Sequence, residues 1–158
     1  MPKPDLHTLA PDFTAPVIGG GYEESATVTL SQLRGRKVVL YFYPKDDTPG
    51  CTQQACVLRD AWSEMTSAAL LFGISTDSLK RHGRFIEKHA LPFPLIADPD
   101  LVIVNAYGVW VEKMLYGKKY LGTERSTFVI NEEGVITAIL EKVKPGAHLE
   151  GVLAALAS

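Results

Sequence analysis

Two uninterrupted apolar runs dominate the chain, Lys37 to Tyr43 (Lys-Val-Val-Leu-Tyr-Phe-Tyr) and Leu70 to Ser75 (Leu-Leu-Phe-Gly-Ile-Ser). Both are rich in β-branched and aromatic residues and lack the polar alternation of a half-exposed strand. They therefore read as strands buried on both faces, the first running from Val38 to Tyr43. Between them, Thr52 to Ser67 is a breaker-free segment compatible with a helix. Strand, helix and strand within about 40 residues form a βαβ unit, whose strands are parallel and joined by a right-handed crossover. The end of the first strand then lies at the carboxyl edge of the sheet, where open α/β folds place their ligands.

The rest of the pattern adds elements on both sides of this unit. Ser78 to His89 predicts a helix capped by Ser78 and closed by Leu91-Pro92-Phe93-Pro94. Leu95-Ile96-Ala97 is a short apolar piece followed by an Asp98-Pro99 turn. Leu101 to Tyr107 reads as a helix ended by Gly108, with a strand as the alternative because Val102-Ile103-Val104 is β-branched. Ser126 to Asn131 and Val135 to Val143 predict an antiparallel hairpin across Glu132-Glu133-Gly134, and Ala147 to Ala157 a closing Leu/Ala-rich helix. At the start, Ala10 to Val17 is extended and punctuated by proline, Gly19-Gly20-Gly21 forces a loop, Thr27 to Leu30 alternates as a strand, and Ser31-Gln32-Leu33 reads as a capped helical turn. No element is assigned between Gly108 and Arg125. The sum is an α/β chain with a central mixed sheet flanked by helices.

Composition narrows the function classes. With 158 residues, 46% hydrophobic and 22% charged, the chain is expected to form a single domain over residues 1–158. A net charge of −2, a pI near 6.1 and the absence of a Lys/Arg block argue against nucleic acid or an anionic membrane as partners. Met1 to Phe13 carries prolines and charges where a secretory signal needs an apolar run, and no segment is long and apolar enough to span a bilayer. A cytoplasmic location is expected. In that reducing compartment the two cysteines are better read as reactive thiols than as a structural staple.

Both cysteines fall in the segment that leaves the first buried strand. Pro44 stops the strand, Thr48-Pro49-Gly50 is turn chemistry, and Cys51 follows at the expected start of the helix. Unpaired N–H groups and the positive end of the helix dipole favour a thiolate there. Cys56 comes five residues later. On an ideal helix the two Cα atoms lie about 8 to 9 Å apart and about 140° round the axis, whereas a disulfide needs less than about 7 Å. If the two react together, the first turns of the helix must unwind. The alternative is two unrelated buried thiols, a serious one for Cys56 and weaker for Cys51 at its turn-to-helix junction.

The Pro44-x-x-x-Thr48-x-x-Cys51 pattern resembles the active-site loop of peroxiredoxins, and Cys56 at plus five resembles the Q subfamily, also called bacterioferritin comigratory proteins. The likeness continues in Gly108-Val109-Trp110, Tyr116-Gly117-Lys118-Lys119-Tyr120 and Arg125-Ser126-Thr127-Phe128 and covers most of the chain. Element order and resemblance together imply a thioredoxin-like fold with an N-terminal hairpin extension. The resemblance implies a thiol peroxidase for hydrogen peroxide and organic hydroperoxides that needs no cofactor and no metal. Cys51 is then the peroxidatic cysteine and becomes a sulfenic acid, which Cys56 resolves as an intramolecular disulfide. Thr48 turns its hydroxyl toward sulfur and peroxide, Pro44 shields the thiolate, and Arg125 supplies the fixed positive charge. The implied reductant is thioredoxin or a glutaredoxin-like protein, and the implied state is a monomer.

Two other classes compete. A disulfide carrier without peroxide chemistry usually has Cys-x-x-Cys, which closes without unwinding a helix; a structural disulfide domain predicts a bridge that survives mild reductant. For Arg125 the ordinary alternative is a surface arginine paired with Glu124 or another acid. His7, His82, His89 and His148 are scattered, without metal-ligand spacing to the cysteines, and read as surface or capping residues. Trp110, Tyr116 and Tyr120 read mainly as core, and Asp46 and Asp47 as solvated turn residues.

Overall fold

In a computed structural model describing residues 2–157, β3 (Val38–Phe42) is buried at every position. It pairs in parallel with β4 (Leu70–Ser75) and antiparallel with β8 (Ser126–Ile130). The two apolar runs are thus the parallel neighbours that the βαβ pattern requires. Leu40 and Phe42 pack on one face with Phe72, Tyr107 and Phe128, while Val39, Tyr41 and Tyr43 pack on the other with Leu58, Phe85 and Phe93. Two apolar layers explain why β3 shows no polar alternation. Gly73 lies opposite Tyr41, and a Cβ there would come within 2.8 Å of the Tyr41 ring.

β1 (Thr14–Ile18), β2 (Thr27–Thr29), β5 (Leu95–Ala97) and β9 (Ile136–Leu140) complete a sheet of order β2-β1-β5-β4-β3-β8-β9. This is the mixed sheet of a thioredoxin-like fold. The N-terminal hairpin does not stand aside, since Val17 and Ile18 pair with Ile96 and Leu95 and so extend the sheet. β9 ends at Leu140, short of Val143, because Lys142 turns to positive φ and the Val143 N–H donates to the Arg125 carbonyl at 2.8 Å.

The helix expected over Thr52 to Ser67 begins earlier and is two helices, α1 (Pro49–Asp60) and α2 (Trp62–Ala68), separated at Ala61. Pro49 is tolerated in the first turn because its missing N–H has no intrahelical partner there. α3 (Leu79–His89) is capped as expected, with Ser78 Oγ accepting from the Arg81 N–H at 3.3 Å. The helix expected over Leu101 to Tyr107 forms as α4 (Val102–Ala106) and the strand alternative fails, since the Asp98 carboxylate accepts from the N–H groups of Val102 and Val104 at 3.0 and 2.8 Å. That satisfies orphan donors which β-branched propensity ignores. The turn near Ser31 is a 3-10 helix over Leu30–Leu33 without a side-chain cap of its own; Asp12 Oδ1, from outside, accepts from the Ser31 N–H at 2.8 Å. α5 (His148–Leu156) closes the chain.

The unassigned stretch folds as a hairpin of β6 (Trp110–Leu115) and β7 (Lys118–Thr123). Tyr116 and Gly117, at φ 51° and 76°, form its two-residue turn, as a right-twisted hairpin requires. The core reading of its aromatics is corrected here: Trp110 packs against the core, but Tyr120 is exposed and Tyr116 is 95% exposed at the tip.

Candidate active site

Cys51 is the third residue of α1 and is 1% exposed. Thr48 precedes the helix in extended conformation and Pro44 follows β3, so the loop from 44 to 48 links the central strand to the reactive helix. Arg125, just before β8, reaches across from the strand on the other side of β3. Its Nη2 lies 3.4 Å from Cys51 Sγ, and its Nη1 donates to Gln54 Oε1 at 2.6 Å. Gly50 makes room for this approach, because a Cβ there would sit 3.2 Å from Arg125 Nη2. Glu124 pairs with Lys3 Nζ at 2.9 Å and with the Ser126 hydroxyl rather than with Arg125.

Gln54 escaped the sequence reading. It stands one helical turn after Cys51, is fully buried, and its Nε2 has no hydrogen-bond partner among the described residues. A polar residue at i+3 from the cysteine was its only signal. Thr48 Oγ1 donates to the Lys45 carbonyl at 2.9 Å, so its own hydrogen closes the loop and its lone pairs remain as acceptors. Cys56 is half-buried further along the unbroken α1, and both thiols are free. The structure brings Cys51, Gln54 and Arg125 together and leaves Cys56 on another side of the helix.

Asp46 and His82 correct the expectation of solvated turn and surface residues, for both are buried. Asp46 Oδ1 accepts from the Tyr43 hydroxyl at 2.5 Å, Asp46 Oδ2 lies 2.6 Å from His82 Nδ1, and His82 Nε2 lies 2.9 Å from the Ile96 carbonyl. The Asp46 N–H donates to Asp77 Oδ2 at 2.9 Å, and Asp77 also takes Ser75 Oγ at 2.6 Å and Arg81 Nε at 2.8 Å. Ligand atoms of Asp46, Asp77 and His82 lie within 4.8 Å of one another, but all are engaged in these bonds, and the Arg81 guanidinium already supplies the cation. The donor set suits a hydrogen-bonded cluster better than a metal. Asp47 is exposed as expected, and it bonds Lys88 Nζ at 2.8 Å and His89 Nε2 at 3.1 Å.

Burial governs the other titratable groups nearby. It pushes the Tyr41 and Tyr43 phenols well above their ordinary range, with the negative charges of Cys51 and Asp46 adding to the effect. His148 is buried too, again contrary to the surface expectation; its Nε2 lies 2.7 Å from Thr127 Oγ1. Burial, helped by the charge of Arg125, pushes its pKa down from 6.5 to about 4. Below pH 6.5 the unfolded chain therefore binds a proton that the folded chain refuses. Stability from this group is full above the ordinary value and is lost as pH falls toward 4, by about 3 kcal/mol in all. Urea titrations from neutral to mildly acid pH should show this loss, and His148→Asn should flatten it.

The AhpC/TSA family model matches residues 6–139. A relative, peroxiredoxin Bcp of Bacillus subtilis, is 44% identical over 135 residues, 85% of this chain and 86% of that protein. Peroxiredoxin Q of Xanthomonas campestris superposes with a TM-score of 0.83 at 38% identity, covering 92% of this chain and 89% of that one. A structure of the X. campestris bacterioferritin comigratory protein, described for its alkyl peroxide reduction activity, gives 0.83 at 37% identity over 92% and 90% of the two chains. The chain belongs to the AhpC/TSA family and is a peroxiredoxin, an enzyme of the thiol peroxidase class.

Proposed function

We propose that this chain reduces hydrogen peroxide and organic hydroperoxides through a sulfenic acid on Cys51 and an intramolecular disulfide with Cys56, and that thioredoxin or a glutaredoxin-like protein recycles it. The observation that carries the reading is Arg125 Nη2 at 3.4 Å from a cysteine in the first turn of a helix. Alkyl peroxide reduction by the X. campestris relative supports the organic substrates. The reading includes a monomeric, single-domain cytoplasmic enzyme; among the described residues no helix is long and apolar enough to cross a membrane.

The thiolate of Cys51 attacks one peroxide oxygen along the O–O axis. As that bond breaks, both its electrons leave with the second oxygen, which takes a proton and departs as water or alcohol, and Cys51 becomes a sulfenic acid. Arg125 supplies a permanent charge and a fork of donors for sulfur and oxygen together, so stabilisation grows with the charge on the leaving oxygen. Thr48, its own hydrogen held by Lys45, accepts the peroxide O–H and orients the substrate. Pro44 walls the loop side. The Cys56 thiolate then attacks the Cys51 sulfur, hydroxide leaves as water, and an external dithiol returns two electrons and two protons by exchange.

The test is mass spectrometry of the reduced protein after one equivalent of peroxide. The expected product has lost two hydrogens and carries a Cys51–Cys56 bridge; a peroxide-insensitive mass overturns the reading. Arg125→Ala should slow the same conversion about 10- to 150-fold, the value of one charge-assisted hydrogen bond of about 1.5 to 3 kcal/mol.

A further inference from the structure

The loop bearing Pro44 and Thr48 is fastened to α3 and to the turn after β4. Asp46 places its carboxylate between the Tyr43 hydroxyl and His82 Nδ1, while its N–H is held by Asp77. Asp47, in left-handed conformation at φ 60°, bonds Lys88 and His89 at the far end of α3. The hydrogen bonds within the cluster also fix a proton count. The Ile96 carbonyl only accepts, so His82 Nε2 carries a hydrogen. Asp46 Oδ1 already receives the Tyr43 hydroxyl, so the 2.6 Å line from Nδ1 to Oδ2 holds one shared proton. Tyr43 packs on the imidazole and Phe85 packs in turn on Tyr43, and the remaining charge facing the pair, Asp77, is answered by Arg81. Among the described residues none of Asp46, Asp77 and His82 is hydrogen-bonded to Cys51, Gln54 or Arg125, and the fully buried histidine takes no part in the thiol steps.

We propose that His82 and Asp46 are positioning residues: a buried, proton-sharing pair that locks the Pro44–Thr48 loop onto α3, so that this half of the peroxide pocket keeps its shape while α1 opens and closes. The proposal rests on Cys51 being the peroxide-reactive thiol. Disulfide formation carries Cys51 and Gln54 away as α1 unwinds, and the loop, bonded elsewhere, stays as the template on which the helix re-forms.

Two measurements decide it. In rapid-mixing experiments, His82→Ala and Asp46→Ala should slow the reaction of Cys51 with hydrogen peroxide by about 100-fold, the cost of a roughly 1 Å misplacement, with the later disulfide step unchanged. Asp46→Asn should regain most of the rate, because its amide donates to Nδ1 and its oxygen still accepts from Tyr43. In the wild-type protein, hydrogen exchange should find the Asp46 amide equally protected in reduced and oxidised forms. A wild-type peroxide rate in folded His82→Ala, or loss of Asp46 protection on oxidation, overturns the proposal. The wild-type exchange result decides alone where an alanine variant does not fold. Cys51→Ser separates the two levels: turnover surviving in that variant removes the underlying reading, whereas an inactive Cys51→Ser beside a fully active His82→Ala removes the positioning role alone.

Discussion

Peroxide consumption with dithiothreitol as reductant should fall to the uncatalysed background in Cys51→Ser. A serine hydroxyl does not ionise appreciably at neutral pH, even at a helix N-terminus beside a guanidinium, so the variant keeps the binding surroundings but has no nucleophile. The loss should not come through the fold. Serine is smaller than cysteine, and its oxygen can accept the Arg125 hydrogen bond now directed at sulfur. Unchanged thermal unfolding beside lost turnover is the expected pair of observations. The assay also excludes a disulfide carrier, which exchanges thiols but does not consume peroxide.

The second large effect concerns the helix itself. Reduced, α1 is unbroken from Pro49 to Asp60 and carries both free thiols. A bridge between them requires their Cα atoms to move from the helical separation of about 8 to 9 Å to less than about 7 Å. Helix turns around Cys51 or Cys56 must therefore open, and an opening at Cys51 takes it out of its buried place beside Arg125 and Gln54. Amides of residues 52–58 should lose hydrogen-exchange protection on oxidation while β3 keeps its own. In Cys56→Ser the bridge cannot form, so the protein should stop at the Cys51 sulfenic acid, thioredoxin-linked turnover should fall, and those amides should stay protected. Excess peroxide then has time to take Cys51 on to sulfinic acid, and the mass reports the extra oxygen. Equal protection of 52–58 in the reduced and bridged forms would falsify the unwinding argument.

What the amino-acid sequence makes legible by itself is local or periodic. The βαβ unit follows from two apolar runs and the segment between them, and Cys51 at a helix start follows from Thr48-Pro49-Gly50, because turn and cap chemistry acts over a few residues. The β6–β7 hairpin was not legible, since Val111-Glu112-Lys113-Met114-Leu115 mixes charge and apolar residues on two largely exposed faces and leaves little alternation to detect. The α4 helix was legible up to Gly108, but its cap was not, because Asp98 acts from outside the segment it caps.

In the site the division follows sequence distance. Cys51, Thr48 and Pro44 lie within eight residues of one another, and their neighbourhood is a property of the chain. Arg125 is 74 residues from Cys51, and sequence alone left it divided between a surface ion pair and a partner for sulfur. The tertiary structure brings its guanidinium to 3.4 Å from the sulfur, because β8 lies against β3 with Ser126 opposite Phe42, which delivers the preceding residue to the end of the central strand. The same holds for Asp46 and His82, 36 residues apart. Each alone is a polar residue that sequence reasoning assigns to water, since burying an unpaired carboxylate or imidazole is costly. Only the packing of α3 against the loop supplies the partner that makes burial tolerable, and no local pattern in the chain encodes that encounter.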